Sequence, residues 1–419
     1  HILIVGDSGT VTDGVSDELP EGEHPGEAAA VLAGYETYSE ANGGEPVDLF
    51  LALGDNAYEV GTDEEWQKSF FELYTDILSS AYTIPTIGNH EMGYGEIDLC
   101  IFVPSIPCGT QGLATGGVSA SPDPDSYDSD GDLVPDGTGM PYLDIFTLPA
   151  DGESGGVASG TEQYYSIDYG NVHVVSLDSQ LTARDDTARA AMKDWLVSDL
   201  SANDLDWTIV IFHHPPYSKG ENHDSDDANR SPIDLPMWDM RNEFTPVFEE
   251  YGVDVVYSGH SHSYERSYYL KGHTGTSDTF SAAAHAELID DDPDRPASGR
   301  EGEPYEQLSP TSGGVDDRVV YTVAGNAGKA DYGGDSFGIT DDEEWLRHAA
   351  HIEQPFSDTE CDSPEGCREG LRGLGDVQIR DEEIGPRGRV RCAAGLVGVA
   401  GTPGGVTRLH SVEVGRARL

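Results

Sequence analysis

An α/β fold is predicted by two features of roughly the first 270 residues. Apolar runs of strand length alternate with stretches of helical composition, and most of those runs break off at once into Gly, Asp, Asn or His. The strand-like runs fall at residues 2–5, 49–53, 83–87, 172–177, 208–212 and 253–257. The helix-like stretches fall at 27–41, 64–80, 187–200 and 246–251. Loops at the carboxyl ends of strands are where α/β proteins place their chemistry, so the residues after each run are the first to examine.

Composition bounds the rest. The chain has 419 residues, 37% of them hydrophobic, which is ample for a substantial core. It carries 78 Asp+Glu against 23 Lys+Arg, a net charge of -55. Lysine is scarce: Lys68, Lys193, Lys219, Lys271 and Lys329 are all there are. In dilute buffer such a chain repels itself and any phosphate ester. In molar salt the screening length falls to about 3 Å and that objection fades. The expectation is therefore a halophile's protein, with an ordinary acidic secreted protein as the plainer alternative. On electrostatic grounds no nucleic-acid partner is expected, since so acidic a chain offers no basic face. No run approaches the ~20 apolar residues of a membrane span.

The five cysteines include two close pairs, Cys100 with Cys108 and Cys361 with Cys367, leaving Cys392. Two short local disulfides in an exported protein fit this spacing, and no zinc-finger spacing is present. The chain opens directly on a strand, as a mature or trimmed form would. Residues 93–140, rich in Gly, Pro, Ser and Asp, read as an inserted loop, and 272–316 as a second polar excursion. From 384 to the end there are six arginines against one acid, Glu413. Such a basic end is out of character, and is either a genuine terminal segment or a stretch read out of frame.

Five short signatures follow strand-like runs in order. They are Gly6-Asp7-Ser8-Gly9, Gly54-Asp55-Asn56-Ala57-Tyr58, Gly88-Asn89-His90-Glu91, His213-His214-Pro215-Pro216-Tyr217, and Gly259-His260-Ser261-His262-Ser263-Tyr264-Glu265-Arg266. Asp, Asn, His and Tyr are oxygen and nitrogen donors suited to Fe, Zn or Mn. Gly before a ligand lets the backbone turn sharply off the strand. His260 and His262, two apart in extended chain, would face opposite sides and could serve two ions. Two ions about 3.5–4 Å apart are the usual apparatus for in-line displacement at phosphorus. Singly, each signature is commonplace in a chain with 51 glycines; five in order at strand ends are not.

Together they resemble the calcineurin-like metallophosphoesterases. Tyr58, three residues after Asp55, and the run from Gly259 to Arg266 narrow the resemblance to the purple acid phosphatases. It spans roughly residues 1–270, with a weaker echo at 319–328. It implies a two-sheet β-sandwich flanked by helices, with a catalytic domain over 1–345 that carries the acidic insertion 93–140, and a C-terminal segment over 346–419. It also implies that the extra N-terminal β-sandwich domain of the plant enzymes does not precede Asp7. By motif, Asp7, Tyr58 and His262 would bind a first metal, Asn89, His213 and His260 a second, and Asp55 would bridge them. A phenolate ligand favours Fe(III), with Fe, Zn or Mn as the second ion. His90 would face the substrate phosphate, and His223, ten residues after His213, would protonate the leaving oxygen. His214 is expected to support the ligands from behind, Glu265 and Arg266 to hold their loop, and His173 to belong to the core.

A separate signal lies in the insertion. Asp128, Asp130, Asp132 and Asp136 alternate around a glycine turn, offering the hard oxygens that Ca²⁺ takes. The run resembles the calcium repeats of thrombospondin type 3, and lacks the twelfth-position Glu of an EF-hand. A solvated acidic loop is the alternative. The expected function is hydrolysis of small phosphate monoesters outside the cytoplasm, in an extracellular, surface or periplasmic setting. The rivals are a phosphodiesterase or nucleotidase on the same metal scaffold, and a secreted calcium-binding surface or assembly protein with a vestigial site.

Overall fold

The computed structural model describes residues 1–10, 28–41, 43–58, 61–92, 141–182, 186–219, 223–226, 234–293, 295–299, 305–307 and 317–329, with three strands beyond them. In chain order the strands are β1 (Ile2–Val5), β2 (Leu49–Ala52), β3 (Tyr82–Pro85), β4 (Tyr165–Tyr169), β5 (Val172–Ser176), β6 (Trp207–Ile211), β7 (Val255–Ser258), β8 (Tyr264–Arg266), β9 (Tyr305–Gln307), β10 (Val320–Ala324), β11 (Gly375–Ile379), β12 (Leu396–Val397) and β13 (Thr407–Glu413). They form a four-stranded sheet in the order β12-β1-β2-β3, a six-stranded sheet in the order β4-β5-β6-β7-β10-β8, and a three-stranded sheet β11-β13-β9. β1, β2 and β3 are mutually parallel, as are β5, β6, β7 and β10. β4 and β8 close the large sheet antiparallel at its two edges.

The period of two along each strand builds two apolar layers. Val174, Ile209, Ile211, Tyr257 and Val320 share one core with Ile4, Leu51 and Ile84 of the small sheet. Their neighbours Val175, Val210, Val256 and Tyr321 point the other way, against Met192, Trp195 and Leu196 of the helix Asp186–Ala202 and Phe248 of the helix Thr245–Tyr251. A sheet buried on both faces needs near-continuous apolar strands, which is what the sequence shows. Each such side chain, fully withdrawn from water, contributes about 1.5–3 kcal/mol. The two-sheet sandwich with flanking helices is therefore present.

Some elements differ from the sequence reading. The expected helix over 64–80 is broken into Asp63–Glu65, a wider turn Trp66–Glu72, and Thr75–Leu78. Thr62 caps it, accepting from Glu65 N while the Glu65 side chain accepts from Thr62 N. Within the widened turn Ser69 Oγ donates to both Glu65 O and Asn56 O, diverting it to the loop after β2. The helix expected from 246 is preceded by further helical turns starting at Leu235. The polar excursion after 272 is more ordered than expected: it holds short helices at Ser277–Thr279 and Ala282–His285, and bridges Leu270 to Ala286. Residues Asp128, Asp130, Asp132 and Asp136, and all five cysteines, lie outside the described residues.

Because the core strands of both sheets are parallel, their carboxyl ends share one edge. There Asp7 N donates to Gly54 O at 3.2 Å and Gly259 N to His213 O at 2.9 Å, so backbone bonds tie the loops after β1 and β2 to each other, and those after β6 and β7 to each other.

Candidate metal centre

The loops turn abruptly. Gly54 has φ +90, and a Cβ there would stand 2.6 Å from His213 Nδ1. A Cβ on Gly88 would stand 2.2 Å from Asp55 Oδ1. Only glycine leaves room for the ligands at these two positions. Asp7, Asp55 and His260 themselves adopt left-handed backbone, with φ of 55, 52 and 66. Non-glycine residues pay about 1–3 kcal/mol for strained conformations of this kind, and such strain gathers at functional sites.

The strain directs side chains to one point. Tyr58 Oη lies 3.0 Å from Asp7 Oδ1, 3.1 Å from Asp55 Oδ2 and 3.5 Å from His262 Nε2. His262 Nε2 is 3.6 Å from Asp7 Oδ1. On the other side of Asp55, His213 Nε2 lies 3.3 Å from Asp55 Oδ2 and 3.1 Å from Asn89 Oδ1. His260 Nδ1 lies 3.0 Å from the same Asn89 oxygen. The structure thus gathers Asp7, Tyr58 and His262 into one group and Asn89, His213 and His260 into another, with Asp55 Oδ2 touching both. His260 and His262 separate as expected, but not by alternation along a strand: residues 260–263 form a bend, and the left-handed turn at His260 does the separating.

The chemistry of this donor set calls for positive charge. Leu53 O, which can only accept, lies 2.8 Å from His213 Nδ1, so that nitrogen carries the proton. Neutral His213 then turns an Nε2 lone pair on the oxygens of Asp55 and Asn89. Tyr58 has one hydroxyl proton for two carboxylates. Convergent lone pairs in a buried site suit cations, and the ligand types suit Fe, Zn or Mn. Without cations the protein redistributes protons. Burial pushes the Asp7 carboxyl up to about 8, with Asp55 adding to the rise and His213 opposing it. Burial acts against the charge of Asp55 as well, yet His213 and His90 hold it well below the ordinary range. Burial would likewise strip His213, but Asp55 and Asp7 outweigh it and raise His213 to about 9.

Other predicted residues take places around this core. His90 packs its ring 4.3 Å from that of Tyr58, with Nε2 3.8 Å from Asp55 Oδ2. His223 stacks on His260, ring centroids 3.8 Å apart. His214 is buried behind the ligands, with Nδ1 2.8 Å from Ser179 Oγ and its ring 4.3 Å from that of His260. Glu265 accepts from Ser218 Oγ at 2.7 Å and Ser263 Oγ at 2.9 Å, fastening the histidine loop. Arg266 donates to Ser298 O at 3.3 Å. His173, in β5, lies between Asp168 and Asp199, away from the ligands.

Three residues of the centre escaped the sequence reading. Glu91 accepts from the backbone N–H groups of Gly88, Asn56 and Asp55, at 2.7, 2.5 and 3.0 Å, clamping two ligand loops together; burial, then Asp55, push its carboxyl up to about 7. Lys329, just beyond β10, holds its ammonium 4.4 Å from the Tyr58 ring centroid. Asp234 places one oxygen 2.7 Å from His223 Nδ1 and 3.0 Å from His260 Nε2. Burial disfavours its charge, but His223 and His260 keep it below the usual carboxylate range. The available signals were an acid on the metal-loop motif, a lysine in a lysine-poor chain, and an Asp before a Leu-Pro helix start.

The calcineurin-like phosphoesterase family matches residues 1–264. Purple acid phosphatase 23 of Arabidopsis thaliana is 33% identical over 128 residues, covering 30% of this chain and 24% of its own. An uncharacterized protein of Mycobacterium tuberculosis is 28% identical over 147 residues, covering 32% and 25%. The chain thus spans about a quarter of the length of the curated relatives it matches. A solved purple acid phosphatase from yellow lupin (Lupinus luteus) seeds overlays 78% of this chain and 44% of its own at 16% identity and a TM-score of 0.45. With the family match covering well over half of the residues, and five ligand-bearing strand ends meeting at one edge, the chain belongs to the calcineurin-like phosphoesterase family.

Proposed function

We propose that the chain hydrolyses phosphate monoesters at a dinuclear metal centre, outside the cytoplasm of a halophile. The observation that carries this is the position of Asp55, whose Oδ2 touches Tyr58 of one ligand group and His213 of the other. Asp7, Tyr58 and His262 would hold one ion, Asn89, His213 and His260 the second, and Asp55 both. The phenol of Tyr58 favours Fe(III) in the first position, with Fe, Zn or Mn in the second. Bound there, two cations would neutralise phosphate oxygens and acidify an attacking water.

The protein's own side chains supply the rest. His90, against Asp55 and Tyr58, offers a ring N–H to the phosphate and stabilises charge that grows on it. His223, held by Asp234 through Nδ1, keeps Nε2 for proton delivery to the departing alkoxide. Lys329 adds a cation beside Tyr58. Glu91 and the glycines maintain the loop spacing that brings these groups within reach of one phosphorus.

The test is Asp55→Ala. It should lose both ions by metal analysis, lose the visible phenolate-to-iron band, and lose at least about 1000-fold in turnover, the order seen when a central electrostatic group is removed. A variant that keeps full activity would sink the assignment. Parallel rates on monoester and diester model substrates separate the monoesterase from a phosphodiesterase on the same scaffold.

A further inference from the structure

The bond pattern around Asp234 points to a role in neither ligand group. Asp234 stands at the N-cap position of the short helix Leu235–Asp239, where an aspartate ordinarily accepts from the first backbone N–H groups. Its side chain makes no such bond. It turns inward, where the residue is largely buried, and a single oxygen, Oδ1, meets His223 Nδ1 at 2.7 Å and His260 Nε2 at 3.0 Å. A carboxylate only accepts, so both nitrogens facing it carry protons. That fixes the free nitrogen of each ring. His260 is left with its lone pair on Nδ1, the atom 3.0 Å from Asn89 Oδ1 in the second ligand group. His223 is left with Nε2 as its outward nitrogen. The rings lie 3.8 Å apart, centroid to centroid, so neither can turn without displacing the other.

We infer that Asp234 is a positioning residue that sets the tautomer of a metal-binding histidine and of the proton-donating histidine at once, and so couples occupation of the second metal site to protonation of the leaving group. The inference rests on the phosphoesterase reading above for the roles of His260 and His223, and on the structure alone for the two tautomers. The proton balance of the step is simple. His223 enters as the imidazolium, gives the Nε2 proton to the alkoxide oxygen as the P–O bond breaks, and remains as the neutral Nδ1–H ring bonded to Asp234. The reverse tautomer, with the proton on Nε2 only and Asp234 facing a lone pair, is disfavoured by the carboxylate. Carboxylate partners of metal-binding histidines raise metal affinity in the same way, and their loss weakens binding by about 10- to 100-fold.

Asp234→Asn separates this role from simple support of the loop. In the wild type, the metal affinity of the second site is measured by competition with a chromophoric chelator. Turnover is compared on p-nitrophenyl phosphate, whose leaving group needs no proton, and on glycerol phosphate, whose alkoxide does. Asp234→Asn is expected to weaken the second ion by about 10-fold or more. At saturating metal it should lose at least about 10-fold more on glycerol phosphate than on the nitrophenyl ester. In a His223→Ala background the same substitution should leave the ratio of the two esters unchanged. Equal losses on both esters with unchanged metal affinity would overturn the inference. Should Asp234→Asn not fold, nitrogen-detected NMR of the wild-type, metal-free chain decides: Nδ1–H on His223 and Nε2–H on His260 are expected, and Nδ1–H on His260 overturns it. A wild type that binds no metal and cleaves neither ester would defeat the functional reading, while the tautomers would still be read directly.

Discussion

Lys329 is one of only five lysines in a chain of net charge -55, and its ammonium sits over the ring of a metal-ligand candidate, Tyr58. β10 and its glycine turn bring it there: Gly325 passes so close to Asp7 and Ser261 that a Cβ would stand 2.8 Å from Asp7 Oδ2 and 2.1 Å from Ser261 O. On the proposed function, an ammonium so placed would draw an incoming phosphate dianion toward the centre and favour a metal-bound phenolate at Tyr58. A cation near a ring face contributes about 0.5–2 kcal/mol, depending on how far it is desolvated. Lys329→Gln is therefore expected to raise KM for a phosphate monoester by about fivefold with a smaller change in kcat, the equivalent of about 1 kcal/mol of binding. If the proposed iron is bound at Tyr58, the variant should also move its phenolate-to-iron absorption band, while Lys329→Arg keeps both near wild type. Steady-state kinetics and an absorption spectrum check these points, and an unchanged KM in Lys329→Gln would remove the residue from the substrate's path.

Among elements, the β4–β5 hairpin and the helix Asp186–Ala202 are joined by a polar staple rather than by apolar contact alone. His173 of β5 reaches Asp168 of β4 at 2.7 Å and Asp199 of the helix at 2.8 Å, and Asp199 also accepts from Ser166 Oγ and Val157 N. Burial favours the neutral ring, but Asp199 and then Asp168 outweigh it, so the His173 pKa is raised above 6.5. A raised histidine contributes stability that is complete below the unfolded value and is lost as pH rises through the folded one. His173→Gln should then cost about 3 kcal/mol at pH 6, the order for removing one member of a buried pair, and less at alkaline pH. Denaturant melts of both proteins at several pH values measure the difference; a gap that widens with pH contradicts the assignment.

The same elements show what could be read in advance. The strands at the ligand loops were legible because each ligand-bearing signature follows close on an apolar run, so local order carries the message. β8 was not, since Glu265 and Arg266 disguise a strand that, among the described residues, lies at the sheet edge beside β10. Asp234 was not, because its partners His223 and His260 lie 11 and 26 residues away and its own neighbourhood reads as a helix start. The turn at His260 was not, because left-handed backbone at a histidine leaves no mark in composition.

At the scale of the whole molecule, the charge of -55 and the proposed substrate are in conflict. On the proposed function, a phosphate ester would approach a surface that repels it, toward a centre where bound cations and Lys329 would attract it. In dilute buffer the repulsion reaches outward, since the screening length at 0.01 M is about 30 Å. At 1 M it is about 3 Å, and only charges near the bound phosphate still act on it. For most enzymes with basic anion sites, salt weakens substrate binding by screening attraction. Here the long-range force is repulsive, so salt should strengthen it. KM for a small phosphate monoester is expected to fall as KCl rises from 0.1 M to about 2 M, and the thermal midpoint to rise over the same range as self-repulsion is screened. Sodium sulfate at matched ionic strength would add a preferential-exclusion effect on stability, and sulfate would also compete at the phosphate site, so the chloride series is the decisive one. A KM that rises steadily with KCl would show that local attraction governs approach, and the acidic surface would then bear on solubility and folding rather than on catalysis.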